Sequence, residues 1–476
     1  MESSNYFSNS LFSLFFVLPL LRYALCDSGT VGINYGRIAD NLPSPPQVVQ
    51  LLRGQGITKV KLYDTDSTVL SALSGSGISV IVALPNEQLA SAAAGQSFTD
   101  SWVQSNILAY HPNTQIEAIA VGNEVFVDPQ NTTVFLVPAM KNVYASLAKY
   151  GVASSIKVSS PIALSALQTS YPSSSGSFKS DLVEPVIKPM LNFLKQTGSY
   201  LMVNAYPFFA YTANTDTISL DYALFRDNPG VVDQKNGLVY KSLFDAQLDA
   251  VYAAMSAIGF NDIKMVVSET GWPSKGDENE IGASEPNAAA YNGNLVRRVL
   301  SGGGTPLRPN EPIDVYLFAL FNENQKNGPT SERNYGLFYP NEQKVYDIPL
   351  TTEGLSMNNE SKSQVVAKPP SSGGDTGDFS TSTIGQTWCV ANEQAGEKKL
   401  QAALDYACGE GGADCRPIQP GAACYNPKNL VAHASYAFNS FYQRNGRGSW
   451  TCDFAGAAYV VTQSPKFGSC KFPTVG

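Results

Sequence analysis

Between Thr30 and Phe321 the chain alternates short apolar runs with longer stretches whose apolar residues recur every three or four positions. The runs are Thr30–Gly36, Lys59–Asp64, Ser79–Pro85, Ile116–Val125, Lys157–Ala163, Tyr200–Tyr206, Lys264–Glu269 and Asp314–Phe321. Their apolar character is continuous more often than alternating, which predicts strands covered on both faces. The longer stretches predict helices at Pro45–Arg53, Phe98–Tyr110, Val134–Tyr150, Leu182–Gln196, Leu243–Ile258 and Ala288–Leu300. Ser44 is placed to cap the first of these, with proline tolerated in the first turn.

Eight strands separated by helices over about 320 residues predict a (β/α)8 barrel, in which side chains at the C-terminal strand ends form the working face. A doubly wound open sheet is the alternative. It usually carries a glycine-rich nucleotide fingerprint, and no G-x-G-x-x-G follows the first strand. From Thr351 to Thr387 the pattern dissolves into Pro, Gly, Ser and Thr, as in a flexible linker. At Trp388 a second pattern begins, with helical stretches at Lys399–Ala407 and Leu430–Arg444. The expected organisation is therefore a segment 1–26, a barrel over 27–350, a linker over 351–387 and a small domain over 388–473.

Cysteine usage separates the two domains. None lies between Asp27 and Thr387, whereas Cys389, Cys408, Cys415, Cys424, Cys452 and Cys470 crowd the C-terminal region. A zinc cluster would want close CxxC pairs, which are absent, so three disulfides are expected, with their pairing open. That fits an oxidising compartment. It also fits the apolar run Leu11–Leu21, followed by small residues at Ala24 and Cys26, which reads as a secretion signal cleaved after Cys26. The run is too short to span a membrane, and the chain ends without an apolar tail of the lipid-anchor kind. The expected destination is outside the cell, with wall and vacuole both open. Asn131 and Asn359 head glycosylation triplets.

A formal charge of −8 supplies no basic face for a nucleic acid, so a neutral polymer suits the surface better. There are 24 Tyr and 23 Phe against four Trp, and aromatic faces suit sugar rings as well as cores. His111 and His433 are the only histidines, and HExxH and G-x-S-x-G motifs are absent, which argues against metalloprotease and serine-hydrolase chemistry. No acidic loop has calcium spacing, and the reading calls for neither metal nor cofactor. What stands out is acid after apolar runs: Gly122-Asn123-Glu124 ends the fourth strand, Ser268-Glu269-Thr270 the seventh and Asn322-Glu323-Asn324 the eighth. Glu124 and Glu269, on strands four and seven, face each other across a barrel mouth. Glycosidic cleavage needs that arrangement, one carboxyl to protonate the leaving oxygen and one to meet the anomeric carbon. Asn123 is placed to hold the acid or a sugar hydroxyl. Tyr35, Tyr63, Tyr206, Phe209 and Trp272, at or after strand ends, are candidates for the cleft floor.

The large region resembles the plant endo-β-1,3-glucanases of glycoside hydrolase family 17. The resemblance is carried by Val31-Gly32-Ile33-Asn34-Tyr35-Gly36, Lys61-Leu62-Tyr63-Asp64, Val121-Gly122-Asn123-Glu124, Asn204-Ala205-Tyr206-Pro207-Phe208-Phe209, Val267-Ser268-Glu269-Thr270-Gly271-Trp272-Pro273-Ser274 and Phe321-Asn322-Glu323-Asn324. It implies a retaining enzyme on a (β/α)8 barrel, with Glu124 as proton donor, Glu269 as nucleophile and Glu323 and Lys326 as accessory charges. Lys326, if it reaches Glu269 or Glu323, would favour the charged form of that neighbour, and a solvated loop lysine is the alternative. The C-terminal region resembles a family 43 carbohydrate-binding module, or X8 domain, through Trp388-Cys389-Val390, Cys424-Tyr425-Asn426-Pro427, Tyr436-Ala437-Phe438-Asn439, Phe441-Tyr442-Gln443 and Cys452-Asp453-Phe454. That implies β-1,3-glucan as partner, and Tyr442 is favoured over Phe441 as its contact. A monomer is expected. Three alternatives stay open: a mixed-linkage β-glucanase, a glucan transglycosylase on the same barrel, and a non-catalytic wall-binding protein.

Overall fold

The computed structural model describes residues 28–355 and 387–474, apart from 393–394, 410–411, 445–448, 453, 455–456, 462–463 and 469. The expected signal segment, most of the linker and Asn359 lie outside the described residues. These residues fall into two compact units.

In the first unit, nine parallel segments form one sheet: β1 (Val31–Asn34), β2 (Lys59–Lys61), β3 (Ser79–Leu84), β4 (Gln115–Val121), β5 (Lys157–Ser159), β6 (Pro161–Ala163), β7 (Leu201–Asn204), β8 (Met265–Thr270) and β9 (Asp314–Leu317). The spatial order is β5-β4-β3-β2-β1-β9-β8-β7-β6. β5 pairs with β4 and β6 with β7, and only Ser160 separates β5 from β6. The two ends of the sheet are thus consecutive in the chain, and the ring closes as a barrel of eight runs with the fifth split in two.

The pleat sorts the strand residues. Ile81, Ala83, Ala118, Ala120, Met202, Val266 and Tyr316 pack together inside the ring. Val80, Val82, Leu84, Ile119, Val121, Val203, Val267, Val315 and Leu317 pack outward in the larger core beneath the helices. Burial on both sides explains why these strands read as continuous apolar runs. Helices at Pro45–Gly54, Leu136–Lys149, Lys188–Thr197, Leu243–Ala257 and Glu285–Leu300 supply that core. Two of the expected helical stretches contain π-turns, at Gln104–Leu108 and Val183–Ile187. The fourth strand stops at Val121 rather than Val125, because Gly122 and Glu124 take positive φ (68° and 49°) and Val125–Val127 forms a 3-10 turn.

In the second unit β10 (Trp388–Ala391) pairs antiparallel with β11 (Ala458–Val461), beside helices Glu397–Cys408 and Leu430–Arg444. The pairing left open by the sequence is Cys389–Cys452, Cys408–Cys415 and Cys424–Cys470. Two of these bridges close spans of 63 and 46 residues, and loops of that size each restrict the unfolded chain by about 4 kcal/mol. Among the described residues no helix is long and apolar enough to cross a membrane.

Candidate active site

A cavity of about 900 Å³ opens at the C-terminal ends of the barrel strands, and Asn123, Glu124, Tyr206, Phe209, Glu269, Glu323 and Lys326 all line it. Backbone irregularities aim the two leading carboxylates. Along β8, Val266 faces inward and Val267 outward, so a regular strand would turn Glu269 out toward the helices. One extra residue after Val267 shifts the register against both neighbours, so that Glu269 stands opposite Asn204 and Thr270 opposite Leu317. The parity flips. The Thr270 hydroxyl meets Tyr291 on the surrounding helix, and Glu269 enters the cavity. Glu124 is aimed differently. It sits in the left-handed region, where a non-glycine residue costs about 1–3 kcal/mol. The preceding Gly122 leaves room that a Cβ would take from Val125. The Glu124 N–H donates to the Pro161 carbonyl at 3.0 Å, tying the turn to β6.

The environments of the two acids differ. Glu269 is 6% exposed and each of its oxygens has a donor: Lys61 Nζ reaches Oε1 at 3.0 Å and the Tyr206 hydroxyl reaches Oε2 at 2.9 Å. Burial alone would push this carboxyl up. The Lys61 charge and the hydrogen bonds from Lys61 and Tyr206 outweigh it and hold Glu269 below the usual carboxylate range, while the nearby Tyr63 hydroxyl donates to Asn34 Oδ1 at 3.0 Å. Glu124 is pushed above that range by burial first and then by the charge of Glu269, against the opposing pull of Asn204 and Lys61. Asn204 ties Glu124 to β8, since its amide donates to Glu124 Oε1 at 2.9 Å and its carbonyl accepts from Ser268 at 2.8 Å. Asn123 is clamped by Asn86, which accepts from its N–H at 2.8 Å and donates to its carbonyl at 3.0 Å.

The expected accessory groups are at the cavity in altered roles. Glu323 is buried, accepts from the Ile38 N–H at 2.8 Å and lies so close to Gly36 that a Cβ there would come within 2.5 Å of it. Burial raises its pKa, opposed by the Lys326 charge. Lys326 itself pairs with Glu332 at 3.2 Å and sits 4.3 Å over the Phe318 ring, so its ion pair is with Glu332 rather than with Glu269 or Glu323. Tyr63, Tyr206 and Phe209 line the cavity as expected of a cleft floor. Two others need correction. Trp272 is fully buried among Phe208, Tyr211 and Tyr291 and donates to the Gly282 carbonyl at 2.8 Å, and Tyr35 is buried against Phe321. Neither reaches the cavity, because both turn into the wall. Asn131 is exposed, in the left-handed region beside the 3-10 turn that follows Glu124.

The residues 31–350 match the family model of the glycosyl hydrolases family 17. The chain belongs to this family. Residues 387–459 match the X8 domain. A relative from Arabidopsis thaliana, glucan endo-1,3-beta-glucosidase 12, is 44% identical over 96% of this chain and 86% of its own length. The Olea europaea glucan endo-1,3-beta-D-glucosidase is 38% identical over 99% of both chains. Among solved structures, a beta-1,3-glucanase and allergen of Cryptomeria japonica pollen superposes with a TM-score of 0.65 at 42% identity, covering 68% of this chain and 99% of its own. A plant beta-glucan endohydrolase gives 0.62 at 41%, covering 67% and 99%.

Sequence reasoning did not single out Lys61, Asn34, Asn204 or Asn86. For Lys61 a signal existed: Lys59 and Lys61 alternate with Val60 and Leu62, so a lysine must point into the barrel, where it needs an anion.

Proposed function

We propose that this chain is a retaining endo-hydrolase of β-1,3-glucan, in which Glu124 protonates the leaving oxygen and Glu269 attacks the anomeric carbon. The observation that carries the assignment is the opposite displacement of two carboxyls that share one cavity: Lys61 and Tyr206 favour the anion of Glu269, while burial and its neighbour's charge favour the protonated form of Glu124. Acid and nucleophile roles follow from such a split. The β-1,3 linkage is supported by the printed activities of the relatives. Asn123 and Asn204 orient Glu124, while Tyr63, Tyr206 and Phe209 offer ring faces to the sugar. Glu323 and Lys326 set the charge at one side of the cleft.

The small domain is proposed to hold insoluble β-1,3-glucan. Its contact face differs from the one favoured by sequence. Tyr442 is 2% exposed and its hydroxyl bonds Thr387 at 2.8 Å, so it belongs to the core. A groove of about 460 Å³ lies instead along Lys399, Ala403, Tyr406, Phe441 and Phe454. Export through the 1–26 segment, a linker over 351–387, action outside the cell as a monomer, and glycosylation at Asn131 complete the proposal.

The test is reducing-end release from laminarin beside lichenan and carboxymethyl cellulose, with the anomeric form of the first product followed by NMR. Laminarin cleavage with retention is expected. Preference for lichenan, inversion, or transfer to sugar in place of water would each displace the reading.

A further inference from the structure

Lys61 is 1% exposed, and its ion pair with Glu269 is buried on both sides. Buried ion pairs seldom stabilise a fold, because the loss of hydration rivals the attraction gained, and apolar replacements of similar volume are often neutral or better. The core around the barrel gives no packing reason for an ammonium at this point. The geometry gives another. Lys61 points into the ring from β2, in register with Asn34 and Ile81, and its Nζ lies 3.9 Å from the face of the Tyr63 ring. The ring covers the cation on one side and Glu269 Oε1 takes a hydrogen bond on another. The two cations that line the cavity, Lys326 and Arg37, are paired elsewhere, with Glu332 and with Asp64 and Asp66.

We propose that Lys61 is the positioning residue of the Glu269 carboxylate, its buried ammonium fixing that group and serving as its counter-charge when it attacks and when it leaves. This rests on the assignment of Glu269 as nucleophile. In the first half-reaction a Glu269 oxygen bonds the anomeric carbon, the bond to the leaving oxygen breaks, and the Glu124 proton passes to that oxygen. Lys61 is then left without its anion. The arrangement favours the second half-reaction, in which water bonds the anomeric carbon, its proton goes to Glu124, and Glu269 departs as a carboxylate beside the waiting ammonium. Lys61 also acts on Glu124. With Glu269 esterified, one of the two influences that raise the Glu124 pKa is gone while the attraction of Lys61 persists, which favours Glu124 as a base. The titratable and charged groups facing Glu269 are Lys61 and Tyr63 from the β2 side, Tyr206 after β7, Glu124 after β4 and Glu323 after β9.

The experiment compares the full-length wild type, Lys61→Met, Lys61→Arg and Glu269→Ala on a short soluble β-1,3-gluco-oligosaccharide across pH. Lys61→Met should lower kcat about a hundredfold. It should move the acid limb of kcat/KM up by about 1–3 pH units, with KM little changed, because Lys61 lies outside the cavity lining. Lys61→Arg should keep the acid limb at the wild-type position, since the charge is retained. An acid limb unmoved in Lys61→Met, a rise in KM alone, or an acid limb displaced in Lys61→Arg as in Lys61→Met would overturn the proposal. An inactive wild type, or an active Glu269→Ala, would instead strike the nucleophile assignment on which it rests. If Lys61→Met does not fold, Lys61→Met/Glu269→Gln decides. A folded double variant supports a private charge pair, and a double variant as unstable as the single one refutes it.

Discussion

The unit at 28–355 contains no cysteine and buries charge: Lys61, Asp245, Asp249, Glu269 and Glu323 all lie within it. In the unit at 387–474 three disulfides supplement a far smaller apolar cluster, and its buried polar side chains among the described residues are the neutral Ser435, Asn439, Ser440, Gln443 and Thr451. The contrast is physical. Burying an ion costs several kcal/mol, against the 5–15 kcal/mol of net stability typical of a whole domain, so a large core can carry a catalytic constellation that a small one cannot. Holding a polymer demands less, an exposed set of ring faces fixed in place, and disulfides can fix those without a large core.

The sharpest way to break this division of labour is at the carboxylates. Glu269→Ala and Glu124→Ala in the full chain should each lose laminarin hydrolysis by about four orders of magnitude. Both should still sediment with insoluble β-1,3-glucan, since the second unit contains neither residue. Azide should restore Glu269→Ala and give a product of inverted configuration. Full activity in Glu269→Ala would end the assignment, and loss of sedimentation in both variants would show that binding belongs to the cleft.

Reduction probes the other side. Non-reducing mass analysis should return three bridges within Cys389–Cys470, and dithiothreitol should destabilise that unit by about 2–5 kcal/mol per bridge. Hydrolysis of short soluble glucan should survive, because the barrel contains no cysteine. Activity falling in step with reduction would show that the barrel depends on the small domain.

A smaller effect lies in pH. On the proposed roles, turnover needs Glu269 ionised and Glu124 protonated. Glu269 is held below the ordinary carboxylate value of 4.5, so activity should fall only as pH drops through that lowered pKa. Glu124 is raised above 4.5, so the alkaline limb should lie above that value. A kcat/KM profile with its acid limb above its expected alkaline limb would contradict the order of the two groups.

The barrel was legible because burial on both faces writes itself as apolar runs, and Glu124 and Glu269 were legible because acids end two of those runs. Facing was not legible. Trp272 follows the bulge in β8, and whether it meets sugar or core depends on that one extra residue and on the packing of Phe208, Tyr211 and Tyr291. Lys61 was missed for a related reason. Its partner lies 208 residues away, and nothing local says which of several barrel acids a strand lysine will meet. The disulfide pairing was likewise closed to sequence, since six cysteines allow fifteen connectivities.

The choice between Phe441 and Tyr442 was not readable from period either, because Ala434, Ala437 and Phe438 put Phe441 on an equally apolar helical line. Ser435, Phe438, Asn439 and Tyr442 fall at i, i+3, i+4 and i+7 of the helix Leu430–Arg444, and all four are buried. Tyr442 is turned into the core. Phe441 is half-buried and meets Tyr406 and Phe454 edge to face. Tyr406 is 50% exposed, and with Lys399 and Ala403 it follows a helical i, i+4, i+7 line along the groove. Such a line suits a polysaccharide strand, with ring faces for the apolar side of each sugar and the Lys399 ammonium for its hydroxyls. Stacking on one exposed ring amounts to about 1 kcal/mol, so Tyr406→Ala should weaken sedimentation with curdlan roughly fivefold. The measurement is best made in a Glu269→Ala background, where the polymer is not digested. Tyr442→Phe should leave curdlan binding unchanged, because it removes only the bond to Thr387. Neither change should alter hydrolysis of short soluble glucan in the active enzyme, and retention on cellulose should stay low throughout. A Tyr406→Ala chain that binds curdlan like its parent, beside a Tyr442→Phe chain that does not, would return the sugar to the face that sequence favoured.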